Sequence, residues 1–336
     1  MSRIPVPPPK ENSMKAIVCH RYGSPDVLEL EEIDTPVAGD DQVLVRVQAA
    51  SVNPVDWHRM RGLPNFMRAS EGLAKPKDPG LGADVAGRVE AVGGNVTQFQ
   101  PGDEVFGMSI RTLAEYVCVS DEGVVPKPAN LTFEQAAAVP VAAITALQGL
   151  RDKGRIEAGQ RVLINGASGG VGTFAVQIAK SFGAEVTGVC SAKNVDLVRS
   201  IGADHVIDYT QEDFTRKGQR YDLIFDSAGY RSLSDCRRAL GPDGILVIVG
   251  AGAGRSSLRI MARMLNALLV SRFGRQKLVP LMAKRNKDDL IVLKELIEAG
   301  KVTPVIDRSY PLSEVPEAIR YLEEGHARGK VVITLE

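Results

Sequence analysis

The sequence predicts an α/β plus β protein: a unit of short strands, then a doubly wound parallel sheet, with mixed elements at the end of the chain. Three observations carry this. The first third is a series of short, partly alternating apolar runs separated by turn chemistry. From near residue 133, helical and strand patterns alternate. And "LINGASGGVGTFAVQIAKSFGAEVTGVC" sets a strand, a glycine-rich bend, a helix and a second strand in a unit of about 30 residues. At 336 residues the chain is long enough for two cores.

The elements follow in order. "MSRIPVPPPKENS" has neither apolar periodicity nor a signal-peptide core, and its Pro7-Pro8-Pro9 run reads as an extended tail over 1–13, with ordered structure opening near Met14. "KAIVCHRY", "VLELEEI", "QVLVRVQAASV", "DVAGRVEAVGG", "GDEVFGM" and "TLAEYVCVS" read as strands, with turns at "YGSPDV" and "TPVAGDD". Many short strands punctuated by Gly and Pro indicate a barrel or sandwich. "TFEQAAAVPVAAITALQGLRDKG" is helical with a break at Pro140, and Thr132 with Gln135 forms a capping-box pattern. "RVLING", "EVTGVC", "HVIDY", "LIFDSAG" and "GILVIVG" are five strands with helices between them over 170–182, 194–201 and 232–240. That alternation is the signature of a parallel, doubly wound sheet. "DDLIVLKELIEAG", "VTPVIDRSYPL", a helix over 313–324 and "KVVITL" close the chain, and these short strands need partners in the first unit.

Composition excludes several function classes. Lys plus Arg and Asp plus Glu balance at 41 each, so no nucleic-acid partner is expected, and a low aromatic content argues against base stacking. The four cysteines, Cys19, Cys118, Cys190 and Cys236, are far apart and form no C-x-x-C pair. They read as thiols of a reducing compartment, with the cytoplasm as the expected location. No stretch of about 18 unbroken apolar residues is present.

The glycine bend carries chemistry. Ala167-Ser168-Gly169-Gly170-Val171-Gly172 is G-x-G-x-x-G with Ala in first place. Gly169 would let the backbone approach a pyrophosphate, and Gly172 would let the helix pack on the strand. Ser168, Gly169, Gly170 and Val171 open the helix, whose free N–H groups and positive dipole end suit phosphate. An NAD site ordinarily carries Asp or Glu about 20 residues later, for the ribose hydroxyls. Here the second strand ends in Cys190-Ser191-Ala192-Lys193. With no acid to repel a 2′-phosphate, Ser191, Lys193 and Tyr209 read as its receptors, and the cofactor reads as NADPH. Ser191 and Lys193 could instead only cap and solubilise the next helix.

"ASVNPVDW", "GLGADVAGRVEAVG", "GDEVFG", "GASGGVG", "GADHVIDY" and the long C-terminal run from "LIEAGKVTPVIDRSYPL" to "HARGKVVI" occur in this order from Met14 to the end. With them the chain resembles the medium-chain dehydrogenase/reductases, in the zinc-independent quinone oxidoreductase and enoyl reductase branch. The resemblance implies a GroES-like β-barrel domain over 1–136 and 285–336 and a Rossmann NADP-binding domain over 137–284. It also implies a homodimer as the default. Zinc members of the family bind metal through Cys, His and Cys, and the matching positions are Asn53, Ala83 and Val141, so no metal is expected. Without a Lewis acid the expected acceptor is a quinone or an α,β-unsaturated carbonyl.

The resemblance also assigns site residues. Asn53 is the candidate to contact the acceptor or the nicotinamide ribose, or it is an Asn-Pro turn residue. Thr145 matches a position near the nicotinamide, or it bonds back to its own helical turn. His58 stands where relatives often place a pocket Tyr, and an imidazole there could donate a proton. Gly250 and Ala251 match the loop that holds the nicotinamide amide, and Arg328 and Lys330 the tail that approaches the cofactor, or either of these two is a solvated surface charge. Trp57 reads as pocket wall or core, and Asp56 and Asp84 as structural. The stretch 255–274 places Arg259, Arg263 and Asn266 on one stripe of an apolar helix. It reads as a cleft or subunit contact, or as a membrane-touching face suited to a lipophilic quinone. The rival functions are a non-catalytic NADPH-binding sensor or scaffold and a zinc alcohol dehydrogenase.

Overall fold

The computed structural model describes residues 12–250, 265–269, 271, 272 and 274–335. The tail over 1–11, Ala251, Arg259 and Arg263 therefore lie outside the described residues. Fifteen strands form three sheets among the described residues. Strands β1 (Ser13–Cys19) and β2 (Leu28–Asp34) pair antiparallel as a two-stranded sheet. Next come β3 (Gln42–Val52), β4 (Asp84–Val92), β5 (Glu104–Met108), β6 (Tyr116–Ser120) and β7 (Val124–Pro126). They join the last two strands of the chain, β14 (Ile306–Pro311) and β15 (Lys330–Thr334), in a sheet ordered β14-β15-β3-β4-β5-β7, with β6 on β3. The strands face a core of Val43, Val45, Val85, Val105, Val117 and Ile333, supplied by the alternating pattern read in the sequence. This is the GroES-like half, and the returning tail completes it.

The other sheet has the order β10-β9-β8-β11-β12-β13 and is parallel throughout. Its strands are β8 (Arg161–Asn165), β9 (Glu185–Cys190), β10 (His205–Asp208), β11 (Tyr221–Asp226), β12 (Leu240–Ile248) and β13 (Lys277–Pro280). Chain order reverses beside β8, as in a doubly wound Rossmann-like sheet, so ligands belong at the carboxyl ends of β8, β9 and β11. Five of these strands are legible in the sequence. β13 is the sixth, a four-residue edge too short to show a period.

The helices are α1 (Pro54–Arg61), α2 (Arg68–Glu71), α3 (Phe133–Ala137), α4 (Pro140–Leu147), α5 (Gly170–Ser181), α6 (Val195–Ser200), α7 (Leu233–Ala239), α8 (Lys287–Glu298) and α9 (Val315–Glu323). Thr132 caps α3: its hydroxyl accepts from Gln135 N–H at 3.2 Å, and its own N–H donates to Gln135 Oε1 at 3.0 Å. Pro140 breaks the run between α3 and α4, as read. The alanines of this segment are buried in a core that also holds Ala49, Ala86 and Val332 from the first half and Ile164 and Phe174 from the second. Small side chains let the helices wedge closely between the two sheets.

Side-chain amides steer the tail back. Gln148 donates to Lys284 O at 2.8 Å and accepts Lys284 N–H at 2.9 Å, while also donating to the buried Asp289 at 2.7 Å. Gln177, on α5, clasps Thr303 in the same two-way manner, at 3.0 and 2.8 Å. These clasps bring Gly329 and Lys330 against the glycine bend: a Cβ on Gly170 would lie 3.1 Å from Lys330 Cδ. Among the described residues no helix is long and apolar enough to cross a membrane. Of the 255–274 stretch, 265–269 is helical, with Leu265, Asn266, Leu268 and Leu269 exposed.

Candidate active site

The bend after β8 is built for a close approach. Gly166 takes a left-handed φ of +86°, and Gly169 caps α5 with extended backbone. A Cβ on Gly172 would lie 2.0 Å from Gly166 O, so the start of α5 can rest on the turn only through glycine. The tight-turn glycine is thus Gly166, not the Ala167 position of the sequence alignment. The Asn165-Gly166 dipeptide was the available signal. The first turn of α5 then leaves N–H groups at Gly170, Val171 and Gly172 without intrahelical acceptors, at the positive end of the helix dipole. Gly250 closes the opposite side, its N–H on Asp226 O at 3.0 Å.

Ser191 follows directly on β9. Tyr209 follows on β10 and is fastened to Cys190 O by its N–H at 3.0 Å. Parallel pairing of Asp208 with Cys190 brings the two strand ends level. Lys193 is exposed on the next turn, and Tyr209 is 54% exposed. The Lys193 ammonium and the Tyr209 hydroxyl have no partner among the described residues. Asn194, which the sequence reading passed over, is buried behind them and donates to Ser168 Oγ at 3.0 Å and Ser191 Oγ at 3.2 Å.

A second cluster lies under the bend. Asn53 caps α1, with Pro54 in first place and Asp56 three residues on: the Asn53 N–H donates to Asp56 Oδ2 at 2.7 Å. "NPVD" is therefore a helix start as well as a turn, and the sequence carried that signal. Asp84 is the hub. Its Oδ2 accepts from Ser51 Oγ at 2.5 Å, Asn53 Nδ2 at 2.8 Å and Lys330 Nζ at 3.3 Å, and its Oδ1 accepts Val141 N–H at 2.8 Å. Lys330 also donates to Asn53 Oδ1 at 2.5 Å. Asn53, Asp84 and Lys330 are 2%, 0% and 4% exposed. The positions matched to zinc ligands thus converge on a hydrogen-bonded ion pair. Asn53 spends its amide on it, and Ala83 and Val141 offer no ligating side chain, so this donor set does not fit zinc.

This network limits what Asn53 can do. One amide proton goes to Asp84 and the other to Ser51 O at 3.3 Å, so the group has no donor to spare and keeps one lone pair on Oδ1. Behind it, burial, reinforced by the charge of Asp84 and opposed by the Asn53 N–H, pushes the Asp56 carboxyl up to about 7. Thr145 Oγ1 donates to Val141 O at 2.6 Å, the back-bond within its own helix. His58 stacks on Trp57 with ring centroids 3.7 Å apart. Its Nδ1 lies 3.1 Å from Leu63 O, so the proton of the neutral ring sits on Nδ1 and leaves Nε2 unprotonated. Burial holds the imidazole below its usual pKa, against the Leu63 bond. Arg328 is exposed at the tail, apart from the buried network that holds Lys330.

The chain joins a Rossmann-like and a GroES-like half, an architecture used by dinucleotide-dependent enzymes, with the glycine bend and the Asn53–Asp84–Lys330 network at their junction. The family model described as "Alcohol dehydrogenase GroES-like domain" matches residues 39–129, and that described as "Zinc-binding dehydrogenase" matches 201–333. The NAD(P)H oxidoreductase RTN4IP1, mitochondrial, of Mus musculus is 36% identical over 362 positions, covering 96% of this chain and 89% of the relative. The NADPH-dependent alkenal/one oxidoreductase, chloroplastic, of Arabidopsis thaliana is 38% identical over 340 positions, covering 97% and 80%. The solved quinone oxidoreductase from Coxiella burnetii superposes with a TM-score of 0.83 at 30% identity, over 96% of this chain and all of that one. The chain belongs to the medium-chain dehydrogenase/reductase family, in the branch of quinone oxidoreductases, alkenal reductases and RTN4IP1, and is an oxidoreductase of that family.

Proposed function

We propose that this protein is an NADPH-dependent, zinc-free reductase of quinones or α,β-unsaturated carbonyls. The observation that carries the reading is the Asn53–Asp84–Lys330 network, which stands where a metal would otherwise polarise a carbonyl. An acceptor that needs no Lewis acid suits such a site, because charge arriving at its electrophilic carbon spreads to a distant oxygen. The named activities of the Arabidopsis and Coxiella relatives agree with that class.

Bound NADPH would supply a hydride; the residues of this chain bind and orient. Gly170 and Val171 would offer backbone N–H groups to the pyrophosphate, Gly169, whose own N–H is held by Gly166 O at 3.1 Å, would let the backbone come close to it, and Ser168 and the Lys330 stem, packed against Gly170, would lie beside them. Ser191, Lys193 and Tyr209 receive the 2′-phosphate. By the family resemblance Gly250 and Ala251 would hold the nicotinamide amide and Arg328 would approach the cofactor from the tail. The remaining lone pair of Asn53 Oδ1 would accept a ribose hydroxyl, and Thr145 would stand near the nicotinamide. His58 and Trp57 form an acceptor wall, and His58 gives up a proton from Nε2 only as imidazolium.

The test is oxidation of NADPH and NADH by the purified, chelator-treated protein with quinones and conjugated enals in parallel. NADPH-selective turnover supports the reading, and the better acceptor names the subclass. Equal use of NADH would remove the 2′-phosphate site. Tight NADPH binding with no turnover on any acceptor would favour the non-catalytic sensor.

A further inference from the structure

Asn194 has a place in the fold that neither the glycine motif nor the comparisons assign. It sits on the turn between β9 and α6, is 6% exposed, and spans the two halves of the phosphate site. Its Nδ2 donates to Ser168 Oγ of the glycine bend at 3.0 Å and to Ser191 Oγ at the end of β9 at 3.2 Å. Its own N–H on Ser191 O at 2.9 Å fixes the turn. Asn194 Oδ1 is buried with no partner. The reverse amide orientation would bury an NH2 without acceptors, and orphaned N–H donors are rarer than under-satisfied carbonyl oxygens. Neither serine hydroxyl has another partner among the described residues.

The consequence lies in the serine protons. A hydroxyl carries one proton and two lone pairs. Once an amide N–H fills a lone pair, the hydroxyl's own proton is left to find an acceptor. A phosphate offers acceptor oxygens, and bonds to an anion are about twice as strong as neutral ones. A hydroxyl that instead spent its proton on a neighbouring protein acceptor would present lone pairs to the phosphate and repel it.

We propose that Asn194 is a positioning residue that sets cofactor choice: by donating to both hydroxyls it commits Ser191 and Ser168 as proton donors to phosphate. The inference rests on the NADPH reading above. Ser191 faces the 2′-phosphate that NADPH alone carries. Ser168 faces the pyrophosphate that both cofactors share. Asn194 therefore acts on NADPH through two contacts and on NADH through one.

The experiment is equilibrium binding of NADPH and of NADH to the full chain by calorimetry. The variants are Asn194→Leu, which removes the donors with similar size and no new charge, Ser191→Ala, and the pair together. N194L is expected to weaken NADPH at least about tenfold and NADH no more than about threefold, a selective change that general loosening of the turn would not give. S191A should show the same selectivity, and the double variant should lose less than the product of the two single losses, because Asn194 acts through Ser191. If N194L fails to fold, Asn194→Ala is read in the same way. An unchanged NADPH-to-NADH ratio in the Asn194 variant, or equal loss of both cofactors, overturns the positioning role and leaves the NADPH reading standing. A wild-type protein with no preference for NADPH overturns both.

Discussion

The ammonium of Lys330 donates to Oδ1 of Asn53 across 2.5 Å, tying the first residue of the last strand to the cap of α1. Because Lys330 also contacts Asp84, and Asp84 holds Val141 N–H, one buried cation fastens the returning tail, the first half and α4 together. Such a network is costly to break from one side, because the partner left behind is a buried charge without its counter-ion.

Replacing Lys330 with Met is therefore expected to destabilise the fold by about 3–5 kcal/mol, read by denaturant unfolding. The double variant Asp84→Leu with Lys330→Met, which removes both charges, should recover part of that loss. A double variant less stable than either single one would show that the ion pair is not the source of the cost.

The ends of β9 and β10 predict a selective effect on the cofactor. Lys193→Ala should raise KM for NADPH about 10- to 100-fold, the range of one charge-assisted bond, and leave KM for NADH nearly unchanged. Initial rates with both cofactors decide it. Parallel losses would put Lys193 outside the 2′-phosphate site.

His58 gives a pH prediction. Burial holds its pKa below the ordinary imidazole value of about 6.5, so the folded protein favours the neutral ring. The stability this contributes is present above 6.5 and is lost as pH falls through the lower folded value. With Nδ1–H on Leu63 O, a proton can leave from Nε2 only once the ring is imidazolium. If His58 is the donor, kcat rises as pH falls below neutrality, and His58→Gln flattens that rise while changing the rate at pH 8 little. A profile that His58→Gln leaves untouched removes the residue from proton transfer.

The donor set at Asn53, Ala83 and Val141 predicts indifference to zinc. Prolonged chelation should leave the rate of NADPH oxidation unchanged, and added zinc should not raise it. A rate lost on chelation and restored by zinc would return the alcohol dehydrogenase mechanism.

Gly172→Ala should disrupt the bend, because the new Cβ would fall 2.0 Å from the Gly166 carbonyl oxygen and backbone must shift to relieve it. Loss of cofactor binding with a stability decrease of about 1–3 kcal/mol is expected, measured by calorimetry and thermal unfolding. Gly102→Ala is the control for a surface glycine: nothing lies within 4 Å of its Cβ position, although its φ of +96° carries its own strain.

The sequence by itself determined the order of elements, the glycine bend on α5 and the acid-free end of β9. Each is written in a local period or in neighbours a few residues apart, which is the range over which backbone preference acts. Two local signals were present but easily misread: Asn165-Gly166 as the tight turn, and Asn53-Pro54 with Asp56 as a helix start. Tertiary structure alone decided that Asp84, read as structural, is the hub of a buried hydrogen-bond network, and that Asn194 links the bend to β9. Ser51, Asp84, Val141 and Lys330 lie far apart in the chain, and no local pattern records that they meet. They meet because the tail crosses back to pair with β3, and because polar groups buried there must find hydrogen-bond partners among whatever the fold brings near.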